Sequence, residues 1–149
     1  MVLPAEGRFG AFTARLKVPA IAAPMFLVSG HALVRAVTHA GMAAAFPAPN
    51  ARTLEELDSW MGSLRQDASD RHAPWVVNVV AHNSYSRMKD EIDLILKHQP
   101  PMVITALGSP RRVLDAVHSY GGLVFADVID AGFARKCVDA GVDGLVLVC

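Results

Sequence analysis

The sequence predicts an α/β fold of parallel strand–helix units, an incomplete (β/α)8 (TIM) barrel with about six strands and five helices. Short apolar runs alternate with amphipathic stretches, and this order recurs along the chain. The predicted strands start at residues 20, 43, 75, 102, 123 and 143, so that successive starts lie 20 to 32 residues apart. This spacing suits one strand, one helix and two short loops, and it joins neighbouring strands in parallel.

The predicted strands are short, largely apolar runs. They span residues 20–24, 43–46, 75–80, 102–106, 123–127 and 143–148. The predicted helices carry apolar residues three to four positions apart, and they begin near residues 30, 54, 86, 110 and 131. Gly41 and Gly141 are expected to end the first and last helix, and Pro110 to open the fourth. Thr53 and Glu56 form a capping box, with the Thr53 hydroxyl accepting from the Glu56 amide.

Two closures of such a sheet compete, an open doubly wound sheet and a barrel. A GxGxxG turn after the first strand would favour the open sheet, but Ala23-Pro24-Met25-Phe26 stands there. The last predicted strand, residues 143–148, has no predicted helix after it before Cys149. We therefore expect the N-terminal portion of a (β/α)8 barrel, whose open sheet edges would pair with other chains and make a homo-oligomer.

The composition is that of one domain covering residues 1–149. Hydrophobic residues make up 52% and charged residues 19% of the chain, which suits strands buried on both faces. Fourteen basic residues balance fourteen acidic ones, so the charge gives no reason to expect nucleic acid or an anionic membrane as a partner.

Targeting and redox features predict a soluble, cytoplasmic protein. The N-terminus has no continuous apolar segment of the signal-peptide kind. The run from Val18 to Val28 contains two prolines and is too short to span a bilayer, so no membrane partner is expected. The two cysteines form neither a disulfide framework nor a metal-binding set.

In barrels the functional groups gather at the C-terminal ends of the strands. The residues predicted there are small or apolar after the first strand and more polar after later ones: Ala23, Pro24, Met25, Asn78, His82, Thr105, Gly108, Asp127 and Asp130. Asn78 interrupts a run of valines, and a buried amide needs a hydrogen-bond partner. That partner is either a bound molecule or the backbone of a neighbouring segment.

Five short segments, taken in order, carry a resemblance. They are residues 19–25 (PAIAAPM), 28–30 (VSG), 39–41 (HAG), 77–79 (VNV) and 140–144 (AGVDG). With them the chain resembles the nitronate monooxygenase (2-nitropropane dioxygenase) family, whose members are FMN-containing (β/α)8 barrels. The resemblance runs over nearly the whole chain from Val18 onward.

The resemblance implies an FMN-dependent oxidoreductase that uses O2 for the oxidative denitrification of alkyl nitronates. Flavin-dependent enoyl-ACP reductases and NADH:quinone reductases, which use NAD(P)H, share these motifs, and the sequence does not separate them. By the same resemblance Ala23, Pro24 and Met25 lie against the flavin ring and offer backbone hydrogen bonds. Asn78 hydrogen-bonds the flavin, and Asp127 stands where some relatives carry a lysine near it.

On the substrate side the resemblance places Thr105 and Gly108, with Gly108 permitting a close backbone approach. His82 is a candidate substrate contact by its position alone, because it is the one histidine predicted at the C-terminal ends of the strands. The family's catalytic histidine follows strand six and its FMN phosphate site follows strands seven and eight. Both are therefore expected beyond Cys149, and the catalytic base is unknown. The other histidines are expected at the surface, on helices or in a polar loop: His31, His39, His72, His98 and His118.

A half-barrel without catalytic activity, acting only by association with another chain, is the competing hypothesis. Other chemistries have weaker support. His82, Asp127 and Asp130 come from different loops without the spacing of a metal or acid–base set. No lysine follows a predicted strand, as a Schiff-base enzyme would need, and Cys149 lacks a visible base.

Overall fold

The computed structural model describes residues 7–69 and 71–148, which form six α-helices, one 3₁₀ turn and six β-strands. The helices are α1 (Gly7–Thr13), α2 (His31–Ala40), α3 (Leu54–Asp67), α4 (Met88–His98), α5 (Arg111–Ser119) and α6 (Ala131–Ala140). The strands are β1 (Ile21–Ala22), β2 (Ala43–Pro47), β3 (Trp75–Val80), β4 (Met102–Ala106), β5 (Leu123–Val128) and β6 (Gly144–Leu147). The 3₁₀ turn, Ala48–Asn50, follows β2.

One sheet contains all six described strands in the order β1-β2-β3-β4-β5-β6, and every neighbouring pair is parallel. Strand order therefore follows chain order without a reversal. This is the arrangement of a barrel wall, because a doubly wound sheet reverses its order at a switch point. The chain is a curled half-barrel, and the predicted fold class is confirmed.

Side chains alternate between the two faces of the sheet, and each face has its own core. The outer face packs against the helices, with Val77 of β3 against Met61 of α3 in one buried cluster. The inner face, toward the barrel interior, holds Val76 and Met102, and Phe12 of α1 packs against it. The helical crossovers therefore cover the outside of the sheet, while α1 packs on the inside.

The predicted helix boundaries at three caps are confirmed. Thr53 Oγ1 accepts from the Glu56 amide at 3.1 Å, while the Glu56 carboxylate accepts from the Arg52 amide at 2.7 Å. Gly41 and Gly141 both have φ of 96°, the left-handed conformation that ends α2 and α6.

α1 is a helix that the sequence pattern did not predict. Its segment contains two glycines, which are poor helix formers. Tertiary contacts hold it instead: Phe12 is buried in the inner core, and the Arg8 guanidinium contacts Asp143 at 2.5 Å and Gly122 O at 3.0 Å. Its stability comes from packing, as is usual for short helices.

Three further predictions were wrong in detail. His98 is 7% exposed and buried rather than at the surface, with Nε2 2.5 Å from the Asp58 carboxylate. β1 covers Ile21–Ala22 instead of residues 20–24, since Pro24 has no N–H to donate to a neighbouring strand. Pro110 is the N-cap of α5 rather than its first residue.

No helix within the described ranges has the length and apolarity needed to cross a bilayer.

Candidate functional site

The C-terminal ends of the strands lie along one edge of the sheet, because all strands are parallel. The pairing register aligns Asn78 of β3 with Ile104 and Phe125 on the inner face. Asp127 follows Phe125 by two residues, so it shares that face one step nearer the edge, where it pairs with Val146. Two of the predicted site residues thus face the barrel interior at the edge where barrel enzymes carry their sites.

Two polar side chains fix the shape of the loop after β1. Ser29 Oγ accepts from Met25 N at 3.0 Å and donates to Ala23 O at 3.1 Å. Asn50 Nδ2 donates to Met25 O at 3.0 Å and to Ser29 O at 2.8 Å. Its Oδ1 accepts from Leu27 N at 2.9 Å. Ser29 is fully buried, so the bonds that it makes are shielded from water.

The same loop presents an apolar surface to solvent. Four consecutive residues, Met25, Phe26, Leu27 and Val28, are between 43% and 64% exposed. Contiguous apolar exposure of this kind marks a binding surface more often than a free one. The Met25 N–H donates to Ser29, so it is not available for the backbone bond to flavin that the resemblance implies. The side chain of Met25 remains free to contact a ligand.

Asn78 is 7% exposed, and its Nδ2 donates to Ile104 O of the neighbouring strand at 3.3 Å. The amide nitrogen therefore has a backbone partner, which is one of the two possibilities that the sequence left open. The Oδ1 atom accepts no hydrogen bond from the described part of the chain. A side-chain carbonyl on the inner face of a half-barrel can accept a hydrogen bond from a ligand there.

Gly108 lets the loop after β4 touch the loop after β3. A Cβ at this position would lie 2.5 Å from the carbonyl carbon of Ala81 and 2.8 Å from His82 N. Leu107, the preceding residue, has φ of 60° and is 74% exposed. The structure thus brings Gly108 and His82 together, and it does so through the backbone.

The His82 side chain is exposed and its ring is oriented by Ser84. The Ser84 amide donates to His82 Nδ1 at 3.2 Å, and the Ser84 hydroxyl lies 2.7 Å from the same atom. Because Nδ1 accepts from a backbone N–H, the proton of the neutral ring lies on Nε2. Arg112 of α5 donates to His82 O at 3.4 Å. His82 therefore presents an N–H donor at this edge.

Asp127 lines an open pocket of about 590 Å³ beside the ends of β4 and β5. Gly108, Phe133, Lys136 and Val148 line the same pocket. Burial raises the pKa of the Asp127 carboxyl above its ordinary value, because a charged carboxylate loses hydration there. A carboxyl with a raised pKa in a mostly apolar pocket can hold or transfer a proton.

Asp130 also lines this pocket, whereas Thr105 does not. Thr105 is 1% exposed and pairs with Val79 and Ala126 on the outer face, so its side chain points to the helix layer. Asp130 caps α6 by accepting from the Phe133 amide at 2.7 Å, which accounts for one of its carboxylate oxygens. Cys149 lies outside the described residues.

The structure divides the predicted site residues into two groups along the edge. One comprises the loop after β1, with Ala23 exposed and Pro24 half-buried. The other comprises His82 and Gly108, in the loops after β3 and β4, with Asp127 near the end of β5 and Asp130 just after that strand. Sequence reasoning missed Ser29 and Asn50 as site residues, although they shape the first group.

No protein-family model and no curated protein matches the chain. Solved structures do match its fold. FabK from Thermotoga maritima has a TM-score of 0.77 at 20% identity, covering 95% of this chain and 43% of its own. Nitroalkane oxidase from Streptomyces ansochromogenes has a TM-score of 0.74 at 21% identity, covering 91% of this chain and 47% of its own. The chain thus spans less than half the length of these proteins, and at this identity the likeness establishes the fold.

Proposed function

We propose that this chain forms the ring-binding side of the flavin site in an FMN-dependent (β/α)8 oxidoreductase. The observation that carries the proposal is the inward-facing Asn78, whose Oδ1 lacks a donor among the described residues. It lies at the same edge of the sheet as the exposed apolar loop after β1. A flat aromatic ring with polar edge atoms needs both features, an apolar surface for its face and a hydrogen bond for its edge.

The residues present fit such a group. Ala23, Pro24 and the Met25 side chain would lie against the ring face, and Asn78 would hydrogen-bond its edge. Bound FMN supplies two-electron redox chemistry, while the protein binds it, orients it and excludes water from one face. Ser29 and Asn50 hold the apolar loop in place, so little ordering would remain when the ring binds.

The substrate would bind on the side of His82 and Gly108, next to Asp127. The Nε2–H of His82 would donate to an anionic oxygen of the substrate. Asp127, with its raised pKa, would face the same space. Thr105 would support this wall from the outer face and not touch the substrate directly, because its side chain is buried there.

Oxidation of alkyl nitronates with O2 is the preferred reaction, and reduction of an enoyl thioester or a quinone with NAD(P)H is the alternative. The fold likeness includes a nitroalkane oxidase and a FabK, so it favours neither. Oxygen uptake with an alkyl nitronate and NAD(P)H oxidation with an enoyl thioester or a quinone distinguish the two. Activity in none of these assays would favour the non-catalytic half-barrel.

The flavin proposal is tested by the absorbance spectrum of the protein, expressed from its complete reading frame and purified gently. We expect bound FMN, and we expect Asn78→Ala to weaken its retention by roughly five- to tenfold, since a neutral hydrogen bond contributes about 1 kcal/mol. Asn83→Ala is the matched control, because Asn83 is exposed on the loop after β3. A protein without flavin absorbance, or an Asn78→Ala variant with unchanged FMN affinity, would contradict the proposal.

A further inference from the structure

A cluster of two histidines and one aspartate lies at the opposite edge of the sheet from the proposed flavin site. His39 is in the last turn of α2, Asp67 is the last residue of α3, and His72 precedes β3. The helices run antiparallel to the strands, so these positions meet at the N-terminal ends of the strands. One donor atom from each of the three side chains lies within 4.8 Å of the other two.

Backbone hydrogen bonds bring the two histidines together. Ala73 N donates to Thr38 O at 3.0 Å, which places the residues next to them, His72 and His39, side by side. Their rings stack with centroids 3.9 Å apart and an angle of 15° between the ring planes. Arg15 donates to His72 O at 3.1 Å and so helps to hold the loop between α3 and β3. The backbone therefore fixes where the two residues lie, while one ring has to turn about its side-chain bonds for both to direct a nitrogen at the same ion.

Hydrogen bonds at each ring assign the donor atoms. His72 Nδ1 lies 2.9 Å from Asp67 O, and a carbonyl can only accept, so Nδ1 carries the proton and the Nε2 lone pair is free. Metal-binding histidines are oriented in this way by a backbone carbonyl. His39 Nε2 lies 2.5 Å from Asp67 Oδ2, so a cation would replace the proton that they share, and the two atoms would move apart to about 3.3 Å to bind it at a tetrahedral angle.

We propose that His39, Asp67 and His72 bind one divalent transition-metal ion, with Zn²⁺ as the ion expected. Two imidazole nitrogens and one carboxylate oxygen are a donor set that zinc takes, with water completing a tetrahedron. Magnesium prefers oxygen ligands and would not compete. The ion would tie the ends of α2 and α3 to the entry of β3, so its role is structural.

The positive charge of Arg35, close to the cluster, opposes this ion and lowers the affinity expected for it. Arg35 Nε lies 3.1 Å from Asp67 Oδ2, the same oxygen that faces His39. The carboxylate would have to exchange part of this ion pair for the metal. Arg35→Gln should therefore tighten zinc binding by about two- to fivefold, the worth of an exposed ion pair.

The test is isothermal titration of the full chain, without a polyhistidine tag, with ZnCl2 and separately with MgCl2. We expect one zinc per chain, no magnesium binding, and a higher Tm with zinc, because a ligand that binds only the folded state stabilises it. His39→Gln and His72→Gln should each weaken zinc binding at least about tenfold, since loss of a group that only orients a ligand already costs that much.

His31→Gln is the matched control, because His31 lies 3.1 Å from the Ser63 hydroxyl and contacts no carboxylate of residues 7–69 and 71–148. Its zinc affinity should equal that of the unaltered chain. The absence of saturable zinc binding would overturn the proposal, as would equal affinities of the unaltered chain and the His39→Gln and His72→Gln variants. If those variants fold poorly by circular dichroism, Arg35→Gln decides the matter: tighter binding supports the site, and unchanged binding refutes it.

Discussion

Replacing Gly108 by alanine tests whether the loops after β3 and β4 pack directly on one another. The added Cβ would lie 2.5 Å from the carbonyl carbon of Ala81 and 2.8 Å from His82 N, and these backbone atoms cannot rotate away. Ala81 N also donates to Ala106 O at 2.8 Å, so parting the loops would strain that bond. Overpacking of this kind costs about 1–3 kcal/mol. Each kcal/mol lowers Tm by about 2–4 °C in a chain of this size.

Thermal and urea unfolding followed by circular dichroism measure this loss. Gly30→Ala is the matched control, because a Cβ there would meet the Trp60 ring at 3.6 Å, an ordinary contact. It should cost less than about 1 kcal/mol, the effect of a poorer N-cap on α2. A Gly108→Ala protein as stable as the unaltered chain would refute the loop contact, and with it the position of His82 in the proposed site.

Three further perturbations follow from the structure. Leu107→Gly should leave the free energy of unfolding unchanged or raise it by up to about 1 kcal/mol, because removing the strain of a left-handed leucine outweighs the greater entropy of the unfolded chain. The control Leu96→Gly, within α4, should lower it by about 1 kcal/mol. Burial raises the pKa of Glu91, so folding favours its protonated form, and the free energy of unfolding falls as pH rises above 4.5. In urea unfolding, the free energy of unfolding of Glu91→Gln minus that of the unaltered chain should increase as pH rises above 4.5; a difference that does not change with pH would contradict this. The sheet edges at β1 and β6, where Leu147 is 77% exposed, should make the chain associate, and a monodisperse monomer in size-exclusion chromatography with light scattering would contradict that.

The order of strands and helices could be predicted because its signals are local. A threonine three residues before a glutamate, or a glycine after an apolar stripe, marks a helix end wherever it occurs, as at Thr53 and Gly41. α1 could not be predicted in this way, because its stability comes from Phe12 against the inner core, more than sixty residues from some of its partners. The burial of His98 likewise depends on Asp58, which a different helix supplies.

The candidate site could be predicted only in part, for the same reason. Asn78 was visible because an amide inside a valine run is unusual, whatever its partner. Ser29 and Asn50 are ordinary loop residues in the sequence, and only the fold shows that Asn50 reaches back to Leu27, 23 positions earlier. Thr105 lies next to the end of a predicted strand, but its face is set by the register with Val79, which sequence alone does not give.

Backbone strain separates the two edges of the sheet. Among the described residues, three that are not glycine have positive φ: Leu27, Gln99 and Leu107. Gln99 ends α4 and bonds back to Ile95 O at 2.7 Å, so the helix end accounts for it. Leu27 is the third residue of a turn that the Val28 N–H closes by donating to Met25 O at 3.2 Å, whereas no such bond spans Leu107 in the described part of the chain. Both side chains are more than 60% exposed, and both lie in loops at the C-terminal edge. A left-handed leucine costs about 1–2 kcal/mol, and a side chain exposed to water gains no burial energy to offset that cost. Strain of the kind seen at Leu107 is typical of surfaces shaped for a ligand, and it lies at the edge where the flavin site is proposed.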